Sequence, residues 1–167
     1  MYHSLDEFQR DFEHHSVETL RVLEHLSDAS LSTKVDPQGR DLGFIAWHIV
    51  QTYPEMLAQA GITGLAGPAH GAPVPAEAAQ IAKAYSVVRA TLMSTLRSAW
   101  TDAMLPESIP MYGQSWPRHM VLSGLLYHEV HHRGQLTVLM RQAGLKVPGV
   151  FGPAREEWGT YGLPAQP

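Results

Sequence analysis

His128 and His132 stand four residues apart in the run Tyr127-His128-Glu129-Val130-His131-His132-Arg133-Gly134-Gln135-Leu136. On a helix that spacing puts both imidazoles on one face, one turn apart, where they can share a metal ion. His131 is turned about 100° from His132 and cannot share that face. Two partly buried histidines with ordinary hydrogen bonds are the alternative. Written literally, His128 to His132 also matches H-E-x-x-H, the zinc-peptidase helix with Glu129 as general base. The extended form of that motif needs glycine where Gln135 stands and histidine where Val138 stands. Glu129 with His132 also makes half of a di-iron Glu-x-x-His motif, but no other glutamate supplies a second copy. A third reading adds a ligand from elsewhere: His48, within Gly43-Phe44-Ile45-Ala46-Trp47-His48-Ile49-Val50, is the other histidine set mid-helix beside an apolar face. Outside a peptidase, Glu129 reads as a solvated carboxylate or one supporting a ligand. Arg133 reads as a surface cation or the partner of an anionic substrate group.

The chain that must position these groups has 167 residues, 44% hydrophobic and 17% charged, which suits one globular domain spanning 1–167. It has no cysteine, which removes disulfides, thiolate metal sites, iron–sulfur clusters and a cysteine nucleophile together. A net charge of −4 gives no electrostatic footprint for nucleic acid. No run of apolar residues is long enough to cross a membrane. The first residues carry no basic segment leading into an apolar stretch, so the expected compartment is the cytoplasm. Ten histidines are the unusual feature, and they concentrate attention on histidine chemistry.

Apolar periodicity predicts an all-α protein, a four-helix bundle. The first helix runs from Ser4 to Leu26, with Ser4 and Glu7 as a capping box and with His15 and Thr19 interrupting its apolar stripe. The second starts at the cap Asp41 and carries Pro54, which predicts a kink or a lost hydrogen bond near Val50. A Gly/Pro/Ala-rich connection, 61–75, could span about 45 Å when extended and so cross the length of a bundle. The third helix is expected over 76–105 and the fourth from Ser115 to Ala143, with Gly144 as a left-handed stop. No strand is expected. The tail, 145–167, should pack irregularly, anchored by Phe151 and Trp158.

The two histidine segments together resemble the DinB/YfiT-like family, small bacterial bundles regarded as candidate metalloenzymes. The stretch Thr19-Leu20-Arg21-Val22-Leu23-Glu24-His25-Leu26 and the tail Lys146-Val147-Pro148-Gly149-Val150-Phe151-Gly152-Pro153 extend the likeness over nearly the whole chain. The resemblance implies up-down-down-up connectivity with a long crossover between helices two and three, and frequent homodimers. It implies one divalent transition metal, zinc or nickel, on three histidines, and His48, His128 and His132 match those positions. Some relatives transfer a small thiol such as bacillithiol, or use mycothiol as cofactor; others have no established activity.

Three imidazoles would leave a metal with open positions for water or a thiol, so the expected function is a metal-dependent transferase or hydrolase acting on a small molecule, with a low-molecular-weight thiol as a candidate cosubstrate. A non-catalytic ion that only ties helices together is the alternative. Trp47, Tyr112, Trp116 and Trp158 are candidates to line the site's mouth, or ordinary packing aromatics. His3, His14, His25, His70 and His119 are read as surface residues, His131 as surface or supporting, and His15 as half-buried and hydrogen-bonded.

Overall fold

The computed structural model describes residues 1–165, so Gln166 and Pro167 at the end of the expected tail lie outside the described residues. Its principal elements are α1 (Leu5–Glu24), α2 (Leu42–Gln59), α3 (Ala78–Ala99), a hairpin of β1 (Ser108–Met111) and β2 (Gln114–Pro117), and α4 (Arg118–Gln142). Short 3-10 turns cover Asp28–Ser30, Asp102–Met104 and Trp158–Tyr161. The main interhelical contacts join α2 to α4, α1 to α3, α1 to α4 and α2 to α3. Each of α1 and α2 is therefore packed on both α3 and α4, around a core that includes Phe8, Phe12, Leu42, Ile49, Tyr53, Ile81, Tyr85, Leu92 and Leu122.

The helix starts are set by side chains that satisfy free N–H groups. Ser4 Oγ accepts from Glu7 N at 3.1 Å, while the Glu7 carboxylate reaches His3 N at 2.7 Å. The expected capping box thus closes one residue earlier than its usual form. Asp41 Oδ1 accepts from Phe44 N at 2.7 Å and starts α2 where the sequence places it. Gly43 lets the loop close on that start: its N donates to Leu31 O at 2.8 Å, and an added Cβ would sit 3.2 Å from that oxygen. Pro54 removes the N–H that Val50 would use, yet α2 continues to Gln59.

Several boundaries differ from expectation, and α1 ends at Glu24, two residues short of Leu26. Helix α3 begins at Ala78, whose N–H is taken by Asp28 Oδ1 at 2.7 Å, and ends at Ala99 instead of running to Leu105. Trp100 leaves helical geometry there (φ −125°, ψ 147°) and buries its ring, with the Arg118 guanidinium 5.7 Å above it. The all-α expectation is corrected by the hairpin, in which Ser108 pairs with Pro117 and Met111 with Gln114. Tyr112 and Gly113, with φ of 50° and 77°, form its two-residue turn, the left-handed pair such a tight hairpin needs. Strands of four residues are too short for alternation to register in sequence. Helix α4 consequently starts at Arg118, not Ser115. Its first N–H groups are satisfied from the preceding loop, Arg118 N by Glu107 O at 3.1 Å and His119 N by Leu105 O at 3.0 Å. Gly144, at φ 74°, ends the helix as its sequence position predicts.

The connection from α2 to α3 lies over α2, held by Trp47 Nε1 donating to Ala72 O at 2.9 Å and Gln51 Nε2 donating to Ala69 O at 2.9 Å. The expected anchor Phe151 does meet the bundle, with its ring centroid 5.1 Å from that of His15, and further anchors join it. Val147 is buried, and Glu157 accepts from Gly149 N at 3.0 Å and Ala154 N at 2.9 Å. Phe151 stays 66% exposed and Trp158 is half-buried.

Candidate functional site

The packing of α2 on α4 brings His48 to the pair of imidazoles on α4. His48 follows Ile45 by one turn, and Ile45 and Ile49 are core residues, so the register of the apolar stripe places His48 at the edge of the α2–α4 seam. On α4 the buried Leu125, Leu136 and Leu139 fix the matching register for His128 and His132. His48 Nε2 lies 3.1 Å from His128 Nε2, which lies 3.2 Å from His132 Nε2. The three rings stand edge-on to one another, with centroids 4.3–4.8 Å apart.

Burial holds all three imidazoles in the neutral form, because desolvation disfavours the cation and the neighbouring histidines repel it. His48 and His128 are each pushed down to about 4, and His132 is lowered as well, with burial the leading cause in each. The His132 tautomer is set by Gln135, whose Oε1 lies 2.6 Å from Nδ1. An amide oxygen only accepts, so Nδ1 carries the proton and Nε2 presents a lone pair to its neighbours. Gln135 is braced by His131, whose Nε2 is 3.2 Å from the Gln135 amide nitrogen.

One proton cannot join three ring nitrogens with good geometry, and His128 Nε2 faces two of them. His128 Nδ1 is buried without a partner. A cation at the common focus would satisfy three lone pairs at once. The two short separations are close to the edges expected of imidazole nitrogens held at about 2.0–2.1 Å around one ion, and all three nitrogens lie within 4.8 Å of one another. The residues present therefore fit a mononuclear metal.

A sequence model of the DinB family matches residues 1–164. The chain belongs to the DinB family. It is 42% identical over 165 residues to the uncharacterized protein YrdA of Bacillus subtilis strain 168, covering 99% of this chain and 98% of that protein. A DinB-like protein from Bacillus cereus ATCC 10987, solved by crystallography, superposes with a TM-score of 0.85 at 39% identity, covering 90% of this chain and all of that one. The fold is shared more distantly with the DinB-like protein YjoA of Bacillus subtilis, with a TM-score of 0.65, 21% identity, and coverage of 86% of this chain and 96% of that one.

The remaining candidates in this DinB-family chain separate clearly. Glu129 is neither solvated nor turned towards the imidazoles. It is 1% exposed, at the centre of the helices. Its Oε1 accepts from Thr19 Oγ1 at 2.7 Å, and its Oε2 accepts from Tyr85 Oη at 2.6 Å and from Tyr53 Oη. Burial raises its pKa, and those hydrogen bonds and the nearby Arg133 charge oppose the rise. Arg133, expected at the surface or against an anionic substrate, is 3% exposed, one turn from Glu129 on the same face. It donates to His15 O at 2.8 Å and Thr19 Oγ1 at 3.0 Å, and its guanidinium lies 5.4 Å from the Phe151 ring. His15 is half-buried beside Arg133, as its place on the stripe predicts.

Trp47 is buried and holds the α2–α3 connection instead of lining an opening. Tyr112 and Trp116 belong to the hairpin, with their rings 5.9 Å apart and Tyr112 Oη donating to Glu55 Oε2 at 2.7 Å. Trp158 lies in the tail. His3, His14, His25, His70 and His131 are exposed, while His119 is half-buried. Sequence reasoning missed the Tyr53, Tyr85 and Thr19 partners of Glu129 and the Gln135 brace. Thr19 and His15, polar residues on the apolar stripe of α1, were the available signal for a buried polar partner on another helix. Gln135, one turn beyond His132, was the signal for the brace.

Proposed function

We propose that His48, His128 and His132 hold one divalent transition metal, and that this chain is a metal-dependent enzyme, a transferase or hydrolase acting on a small molecule. The observation that carries this is the convergence of three neutral imidazole nitrogens, 3.1 and 3.2 Å apart, from two helices. When bound, the ion supplies a Lewis-acid centre with open coordination positions that acidify a thiol or a water. An imidazole set suits zinc or nickel. A low-molecular-weight thiol is the cosubstrate this reading favours for a transferase.

The chain's own residues prepare the site. Burial keeps the imidazoles unprotonated near neutral pH, and Gln135 holds His132 in the ligating tautomer. Phe44 stacks on His48, with ring centroids 6.0 Å apart, and shields one side of it from water. Glu129 takes no part as a base, since its oxygens are occupied by hydroxyls in the core. That counts against the H-E-x-x-H peptidase reading, and His48 is a ligand which that motif does not use.

The same reading takes the chain as a single domain, a four-helix bundle of up-down-down-up connectivity that assembles as a homodimer. The pairing of α1 and α2 each with α3 and α4, and the extended connection along α2, support the connectivity. Among the described residues no helix is long and apolar enough to cross a membrane.

Elemental analysis of untagged protein tests the metal. About one equivalent of a transition metal in the wild type, lost in both His48→Ala and His128→Ala, is the expected result. Full metal retention in His48→Ala overturns the three-histidine site. Binding of azide or a small thiol, read in the visible spectrum of the cobalt-substituted protein, is expected of an open catalytic ion. A spectrum unmoved by either would favour an ion that only ties α2 to α4.

A further inference from the structure

A cavity of about 370 Å3 opens between the loop before α2 and the last turns of α4. Its walls are apolar, formed by Val35, Ile45, Val138 and Leu139. Ile45 is one turn before His48, and Gln135 is the residue bonded to His132, so the cavity adjoins the imidazole cluster along both helices. The volume falls at the lower end of the range of small-molecule pockets.

Two charged residues reach this cavity, Asp36 and Arg40. Asp36 is committed to its own turn, where Oδ1 accepts from Gln38 N at 2.7 Å and the backbone oxygen accepts from Gly39 N at 2.8 Å. Arg40 makes no hydrogen bond or ion pair among the described residues. Its guanidinium carbon lies over the Phe44 ring, 4.8 Å from the centroid, and Phe44 in turn stacks on His48. A planar guanidinium with open donors at the rim of an apolar cavity is suited to a carboxylate held by paired hydrogen bonds.

We propose that this cavity is the substrate pocket of the imidazole site and takes a small organic anion, a carboxylate on an aliphatic or aromatic body, with its charge on Arg40 and its body against Val35, Ile45, Val138 and Leu139. The assignment rests on the metal-enzyme reading for its chemistry, but the pocket and its charge preference stand on their own geometry. Phe44 serves as a rigid platform that sets Arg40 between the cavity and His48, so an anion paired there directs the rest of the molecule along the α2–α4 seam.

The test is a titration of isotope-labelled protein, metal-loaded and metal-free, with 3-phenylpropionate and with its uncharged amide, followed by NMR. Signals of Ile45, Val138 and Leu139 should move with either probe. The acid should bind about three- to tenfold more tightly than the amide, in keeping with one partly exposed charge-assisted contact. Arg40→Gln should abolish that preference and leave amide binding unchanged. Val138→Trp, which fills the cavity from its exposed rim, should block both probes while metal content stays at the wild-type level. Equal affinity for acid and amide, a preference that survives Arg40→Gln, shifts confined to other residues, or no binding of either probe each overturns the pocket. Metal content measured on the same samples separates the two readings. Loss of the metal site leaves the acid preference standing, and absence of that preference in a metal-binding protein removes the pocket alone.

Discussion

His128 and Glu129 are adjacent in sequence, but they belong to two polar clusters on different faces of α4 that differ in one physical respect. Around Glu129 each polar atom is answered. Thr19 from α1, Tyr53 from α2 and Tyr85 from α3 all donate to its carboxylate, and Arg133 lies one turn away, bonded to Thr19 and to the His15 carbonyl. Around His128 the answers are missing, with three ring nitrogens facing one another and Nδ1 buried without a partner. A saturated network in the interior draws one member from each helix and specifies how the helices meet. An unsaturated one at a seam is short of a ligand. Burial alone would have ranked Glu129 as the more functional residue. The hydrogen-bond inventory reverses that order.

The contrast is broken most severely by Glu129→Ala. Removing the carboxylate strands two tyrosine hydroxyls and takes away the counter-charge beside the buried Arg133, and a loss of about 3–5 kcal/mol is expected. Chemical denaturation should show that loss while metal per folded molecule stays unchanged. Metal loss without destabilisation would place Glu129 in the imidazole cluster after all. Next in size is Gln135→Ala, which frees the His132 tautomer and should weaken metal affinity by about 10–100-fold. Competition with a chelator measures it, and denaturation of the metal-free protein should scarcely change. An unaltered affinity would remove Gln135 from the account.

Tyr85→Phe sharpens the structural side of the comparison. One hydrogen bond to a buried carboxylate is lost with little change in shape, and about 1–3 kcal/mol of stability should go with it. The smallest effect concerns the tail. Glu157 is held below the usual glutamate range by the Gly149 and Ala154 N–H groups, so its contribution is present above that range and fades as pH falls through its folded-state value. Glu157→Gln at neutral pH, or the wild type on acidification, should expose residues 147–161 to proteolysis while α1–α4 stay protected. Equal cleavage of wild type and Glu157→Gln at neutral pH would remove the Glu157 contacts from what holds the tail, leaving that role to Val147 and to the Arg21, Arg133 and Arg141 side chains that meet it.

Much of this was legible in the chain because it depends on short-range rules. The Asp41 cap, the Gly144 stop and the i,i+4 histidines are local features, and the structure keeps all three. The hairpin was not legible, since its turn is Tyr-Gly instead of a stronger turn pair and its strands give no period. Arg133 was misread for a related reason. An arginine beside a ligand helix is commonly at the surface, and only the partners brought by α1 make its burial tolerable.

The sequence by itself determined the four helical segments, the face shared by His128 and His132, and the place of His48 on its own apolar stripe. All three follow from periodicity and capping within single segments. Tertiary structure alone decided that His48 meets that pair at 3.1 Å, that Gln135 and Arg40 flank them, and that Glu129 turns inward to Tyr53 and Tyr85. Each of these depends on how one helix is rotated and set against another. That choice is made by packing the whole core at once, and no single segment encodes it.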